Sequence, residues 1–312
     1  MADITPVLLS IQMPFYPIQS AYDKRRLYDM QNPAVMEAYV AALRREMEAA
    51  APDYADCEVQ AARIGGGIAS HAADEPLGLL LRDMRGWFRF ADDAPVAFTV
   101  HPGMVSVETL TACRRGGVSV LDVDYCTSDP FESELMGRFL PPEAMNTTMM
   151  VLGNAPLSLS FEIMTGLPGQ SETSLLRTLN QVKAYGAKEI VLRPLEIIPG
   201  TKLAGQAAAL AASSSPRRHL PNEKEREALW QSAQAWCLKE GYAPAVSGRY
   251  ALPGYGSRYH RLLVQGMSLL GFGVNAVTRM DGVEAVNTGD LNTYIRFSPD
   301  PEKLTAQVTS LS

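Results

Sequence analysis

Two short stretches and one charged pair hold residues whose types and spacing could do chemistry. RIGGGIAS places Gly65, Gly66 and Gly67 directly after an apolar run. Glycines there let backbone approach a ligand closely, with N–H groups free for an anion or carboxylate; a plain tight turn is the alternative. The spacing is not GxGxxG, so no dinucleotide fingerprint is met. FEIMTGLPGQSE runs from an apolar stretch into a turn with two glycines, a proline and a helix-capping serine. Arg138 and Glu162 read as a buried charge pair at a strand edge, placed to face the hydroxyls of a ribose; a surface pair, or no contact, is the alternative.

Other chemistries lack their residues. The four histidines, His71, His101, His219 and His260, have no HxxxH spacing. Neither GxSxG nor a P-loop is present. Cys57, Cys113, Cys126 and Cys237 form no CxxC or CxxxC, which argues against a thiolate metal site and a disulfide scaffold. They read as reduced thiols of a cytoplasmic protein. The first 20 residues lack a basic start, apolar run and small-residue cleavage site, and no apolar stretch reaches the ~20 residues of a membrane span. A net charge of −6 disfavours nucleic acid as a partner.

The elements that must position these residues alternate in type. TPVLLSIQM (5–13), CEVQAARIGGG (57–67), APVAFTVHPG (94–103), VSVLDVDY (118–125), LSLSFEIMTGLPGQ (157–170) and KEIVLRPLEIIPGT (188–201) read as strands, several running into turns. Residues 32–51, 75–88, 106–117 and 171–186 read as helices, with Ser106 and Ser171 as N-caps. The alternation predicts βαβ units, a parallel sheet and right-handed crossovers. Ligands of such sheets sit at the carboxyl edge of the strands, where all three glycine turns fall. The alanine-rich AGQAAALAASSSPRR reads as a mobile linker. The expected division is 1–205, a linker at 206–220, and a smaller α/β unit over 221–312.

Motif order adds a family. SIQMPFY, RIGGGIAS, TVHPG, GGVSVLDVDYCTSD, MGR, FEIMTGLPGQSE, EIIPGT, ALPGYGSRYH, LLGFGVNAV and AVNTGDLNTY follow one another from about residue 7 to 295. In this the chain resembles the oxygen-independent coproporphyrinogen III oxidase family of radical S-adenosylmethionine (SAM) proteins, including its haem-chaperone branch. The resemblance implies a partial (β/α)6 barrel, open on one side, with a C-terminal α/β appendage. In such proteins the first strand leads into CxxxCxxC, whose thiolates hold three irons of a four-iron cluster, and SAM binds the fourth. The matching positions here are Tyr16, Ser20 and Asp23. None is a soft ligand, so the expectation is a chain without an iron–sulfur cluster and without radical cleavage.

The implied SAM pocket is half kept. Gly65, Gly66, Gly67 and Arg138 match, Glu162 stands for an aspartate, Thr99 stands for an acid, and Cys126 stands for a glutamine. Two functions follow from different classes. One is a non-radical enzyme that binds SAM and transfers or cyclises an alkyl group, with Asp23 as general base, Tyr16 as donor, and Tyr22 and Ser20 lining the same space. The other is a pseudoenzyme: a carrier of haem or another tetrapyrrole, or a partner subunit of an active radical SAM protein. An oxidase with oxygen ligands to its cluster ranks last. A large, flat small molecule suits a laterally open barrel. A homodimer or a heterodimer with a radical SAM protein belongs to the same set of expectations.

Overall fold

The computed structural model describes residues 4–16, 20–23, 32–67, 74–138, 141–153, 157–246 and 248–311. Six parallel strands form its centre: β1 (Thr5–Gln12), β2 (Cys57–Gly65), β3 (Val96–Val100), β4 (Val120–Cys126), β5 (Ser158–Thr165) and β6 (Glu189–Pro194). Helices connect them: α1 (Pro33–Ala50), α2 (Asp74–Trp87), α3 (Val107–Arg115), α4 (Pro130–Leu135), α5 (Pro142–Gly153) and α6 (Glu172–Ala184). Ser106 and Ser171 cap α3 and α6 by accepting from the Thr109 and Ser174 N–H groups.

From β3 to β6 the strands alternate in what they offer their two sides, apart from the bulge in β4. Val96, Phe98, Val100, Leu121, Val123, Phe161, Ile163, Ile190 and Leu192 belong to the main apolar core with the helices. The residues between them, such as Thr99, Asp122, Ser160, Glu162 and Arg193, line an internal cavity. The sheet therefore curls around a polar lumen, as the partial barrel requires.

Beyond β6 lie α7 (Lys202–Ala211), α8 (Glu223–Lys239), β7 (Ala243–Pro244), β8 (Arg249–Ala251), α9 (Arg258–Val264), β9 (Ser268–Phe272), β10 (Val277–Met280), β11 (Val283–Asn287), α10 (Leu291–Phe297), α11 (Pro301–Leu304) and β12 (Thr305–Ser310). The stretch expected to be a mobile linker starts instead as helix α7. Thr201 caps it, alanine is the best helix former, and Leu203 packs with Leu220 and Leu167. Residues 221–312 extend the same sheet at both ends: β8 runs antiparallel to β6, and β9 runs parallel to β1. All twelve strands thus form one sheet, in the order β12-β11-β10-β9-β1-β2-β3-β4-β5-β6-β8-β7.

Candidate functional site

The lumen encloses a cavity of about 580 Å³, within the range of ligand pockets. Four guanidiniums reach it, each from a different element, and each is held by a carboxylate. At the floor, Arg249 of β8 donates to Glu189 of β6 at 2.7 Å. Glu189 also accepts from the Ser160 hydroxyl at 3.0 Å and the Ser257 N–H at 2.9 Å. His260 closes the ring of contacts, with Nε2 3.2 Å from Arg249 and Nδ1 2.7 Å from the Ser257 hydroxyl. Burial, then the charges of Arg249, Arg63 and Arg193, hold His260 neutral by pushing its pKa down to about 2.

Arg138 follows α4. It meets the Asp124 carboxylate at 2.7 Å and the Tyr22 hydroxyl at 2.8 Å, and it donates to the Asp124 carbonyl. Burial pushes Tyr22 up to about 12, against the pull of Arg138. Arg63 of β2 lies 3.4 Å from both Asp122 and the Thr99 hydroxyl. At the rim, Arg193 of β6 grips Glu162 of β5 through two parallel bonds of 2.7 Å.

The structure brings Tyr16, Asp23, Gly66, Gly67, Arg138 and Glu162 together around one volume. It does not pair Arg138 with Glu162. Arg138, after α4, bonds Asp124 of β4, and Glu162 of β5 bonds Arg193 of β6, which lies diagonally two positions beyond its register partner Val191. Gly65 and Cys126 are not among the cavity's lining residues. Cys126 sits at the bulge in β4 with φ at 73° and buries its thiol among Met136, Met164 and Leu167, where burial pushes its pKa up to about 12. The Cys126 side chain packs in an apolar cluster. The glycine triplet admits the protein's own chain: a Cβ on Gly67 would collide with the carbonyls of Met13 and Phe15. Tyr16 donates its hydroxyl proton to the Gly66 carbonyl. His71 lies outside the described residues.

Arg63, Asp122, Asp124, Arg193 and Arg249 are site residues that the motifs did not bring forward. Their signal is present in the strands, as a charge at every second position of VLDVDY and a lone cation in otherwise apolar runs.

No family model matches the chain. Curated relatives and solved structures do. The chain is 23% identical over 286 residues to a heme chaperone, HemW, of Escherichia coli, covering 90% of this chain and 73% of that one. It is 23% identical over 306 residues to an oxygen-independent coproporphyrinogen III oxidase of Cereibacter sphaeroides, covering 93% and 66%. The coproporphyrinogen III oxidase HemN of Escherichia coli, a structure titled as that of a radical SAM enzyme, superposes with a TM-score of 0.82 at 19% identity, over 99% of this chain and 73% of that one. The chain is a homologue of these proteins and has their fold. The partial barrel expected from the motifs is thereby shown.

The same comparisons correct the cofactor expectation. The expectation of a cluster-free chain rests on three positions, whereas the matched HemN structure is titled as that of a radical SAM enzyme; three missing thiolates are no positive sign of a cluster-free state. The donor set as described still does not fit a thiolate-held cluster. Cys57, Cys113, Cys126 and Cys237 are each buried and separate, and among the described residues no group of three or more His, Cys, Asp or Glu could hold a metal ion. No step is derived through such a group. Among the described residues, no helix is long and apolar enough to cross a membrane.

Proposed function

We propose that the chain is a tetrapyrrole-binding carrier or partner protein whose ligand enters the open lumen and anchors its acidic arms on arginines. One observation carries this reading: a single cavity of about 580 Å³ is bordered by Arg193 and Arg63, whose carboxylate partners Glu162 and Asp122 also line it and can give way to a ligand's carboxylates, while Arg138 and Arg249 are fixed in buried pairs. Fixed guanidiniums suit carboxylates, because the fork is preorganised and needs little reordering on binding. The relatives named as heme chaperones support the ligand class. His260 is left out of the binding role, since both ring nitrogens are engaged, Nε2 with Arg249 and Nδ1 with Ser257. Anchoring therefore rests on the acidic arms. A cytoplasmic setting and reduced thiols belong to the same reading.

Alkyl transfer is not part of the proposal. The Tyr16 hydroxyl, its intended donor, is bonded to the Gly66 carbonyl. Titration of the full chain with hemin tests the reading. The expected result is a saturable shift of the Soret band with one equivalent bound. The paired variant Arg63→Met with Arg193→Met is expected to bind about tenfold more weakly or worse, the worth of one lost hydrogen bond to a charged group. Hemin that fails to saturate, or binding unchanged in that variant, overturns the reading.

A further inference from the structure

The ion-paired floor of the lumen is also a ceiling. Beneath Glu189, Ser160 and Ser257, at the amino ends of β3 to β6, lies a second cavity of about 260 Å³. Its back wall is made of short side chains, Ala62, Ala97, Ser119 and Ser158, which leave a slot between the strands and the segment that crosses them. That segment is Gly254-Tyr255-Gly256. Gly254 has φ at +83° and Gly256 at +117°, conformations that carry Tyr255 out over the slot and that side-chain-bearing residues rarely adopt. Tyr255 is 48% exposed, with the Lys188 ammonium 5.2 Å from its ring centroid.

The cations around this slot are not equivalent. Arg258 is already spent on Asp93 at 2.8 Å and Gln60 at 2.9 Å. Lys188 has no carboxylate within ion-pair distance among the described residues; its contact is the face of Tyr255. An aromatic face and an ammonium with no ion pair among the described residues thus border one slot walled by alanines, serines and apolar groups, with the paired Glu189 and Arg258 at its margins.

We propose that this amino-end cavity is a second binding site, for a small planar aromatic molecule bearing a carboxylate. Its ring lies along Tyr255 in the slot, and its carboxylate meets Lys188. The combination exceeds either contact alone, because a stacked ring excludes water from the ion pair. The site lies on the opposite side of the Glu189–Arg249 pair from the lumen, so its occupancy is independent of the tetrapyrrole reading.

The test is calorimetric titration of the full chain with 2-naphthoate, alongside neutral 2-naphthamide. Saturable binding of the acid, with the amide weaker by about tenfold or more, is the expected result. Lys188→Met, which keeps the stem and removes the charge, is expected to reduce the acid to the amide's affinity, and Tyr255→Ala to weaken both. Both residues are partly exposed, so circular dichroism should show an unchanged fold. Saturating hemin should not displace the acid. No binding, binding unchanged in Lys188→Met and Tyr255→Ala, or loss of binding in Arg63→Met with Arg193→Met, which would put the acid in the lumen, each overturns the proposal.

Discussion

The floor and the rim of the lumen use the same pair of groups at opposite ends of a burial scale. Arg249 and Glu189 at the floor expose 8% and 5% of their side chains; Arg193 and Glu162 at the rim expose 57% and 30%. Desolvating a charge costs several kcal/mol, which a buried pair recovers only through close geometry and extra hydrogen bonds. The floor has those extras in Ser160, Ser257 and His260. The rim has bidentate geometry alone and stays in contact with water. The floor pair therefore belongs to the fold, and the rim pair remains open to exchange one carboxylate for another.

The largest effect expected from this contrast is Arg249→Leu. It leaves Glu189 buried without its cation and should cost about 3–5 kcal/mol of unfolding free energy, read from the urea midpoint. Restoring much of that loss by adding Glu189→Leu would confirm that the uncompensated charge is the cause. A smaller effect concerns the Glu46 carboxylate, which has no cation within ion-pair distance among the described residues. Glu46 of α1 accepts from the Asn287 side chain at 2.6 Å, the Gly273 N–H at 2.9 Å and the Tyr294 hydroxyl. Burial pushes its carboxyl above the ordinary value, and those three donors only partly oppose it. The folded chain thus holds its proton to higher pH than the unfolded chain. Its contribution is full below the unfolded carboxylate range and is lost as pH rises through the raised folded value. Glu46→Gln should flatten that part of the stability–pH curve, and an unchanged slope would assign it elsewhere. The smallest stability effect is Arg193→Met, about 1 kcal/mol or less for an exposed pair. The same change should have the clearest effect on ligand affinity, the reverse of its rank for stability.

Much of this architecture is legible in the sequence. The six central strands and the capped helices follow from periodicity and from Ser106 and Ser171, because those signals are local. The linker reading of 204–218 fails over 204–211 for a local reason too. Serines and a proline at the end of the stretch outweighed AGQAAALAA, although Thr201 and five alanines specify a helix start and its continuation. The charge pairs were not legible in the same way. Arg138 and Glu162 do share a cavity, yet which carboxylate each cation or anion meets depends on strand register and side-chain reach. Asp124 and Arg193 acquire their roles only when the sheet curls. Cys126 illustrates the same limit: its left-handed backbone, set by the bulge in β4, turns the thiol away from the lumen.

The measurement closest to the central claim is hemin titration of the wild-type chain and the Arg193→Met variant under identical conditions, with urea unfolding of both. The expected result is saturable binding to the wild type, weakened several-fold or more in the variant, while the unfolding midpoint moves little. Equal hemin affinity in the two proteins, or no saturable binding to the wild type, would contradict a lumen that anchors an acidic tetrapyrrole through its rim.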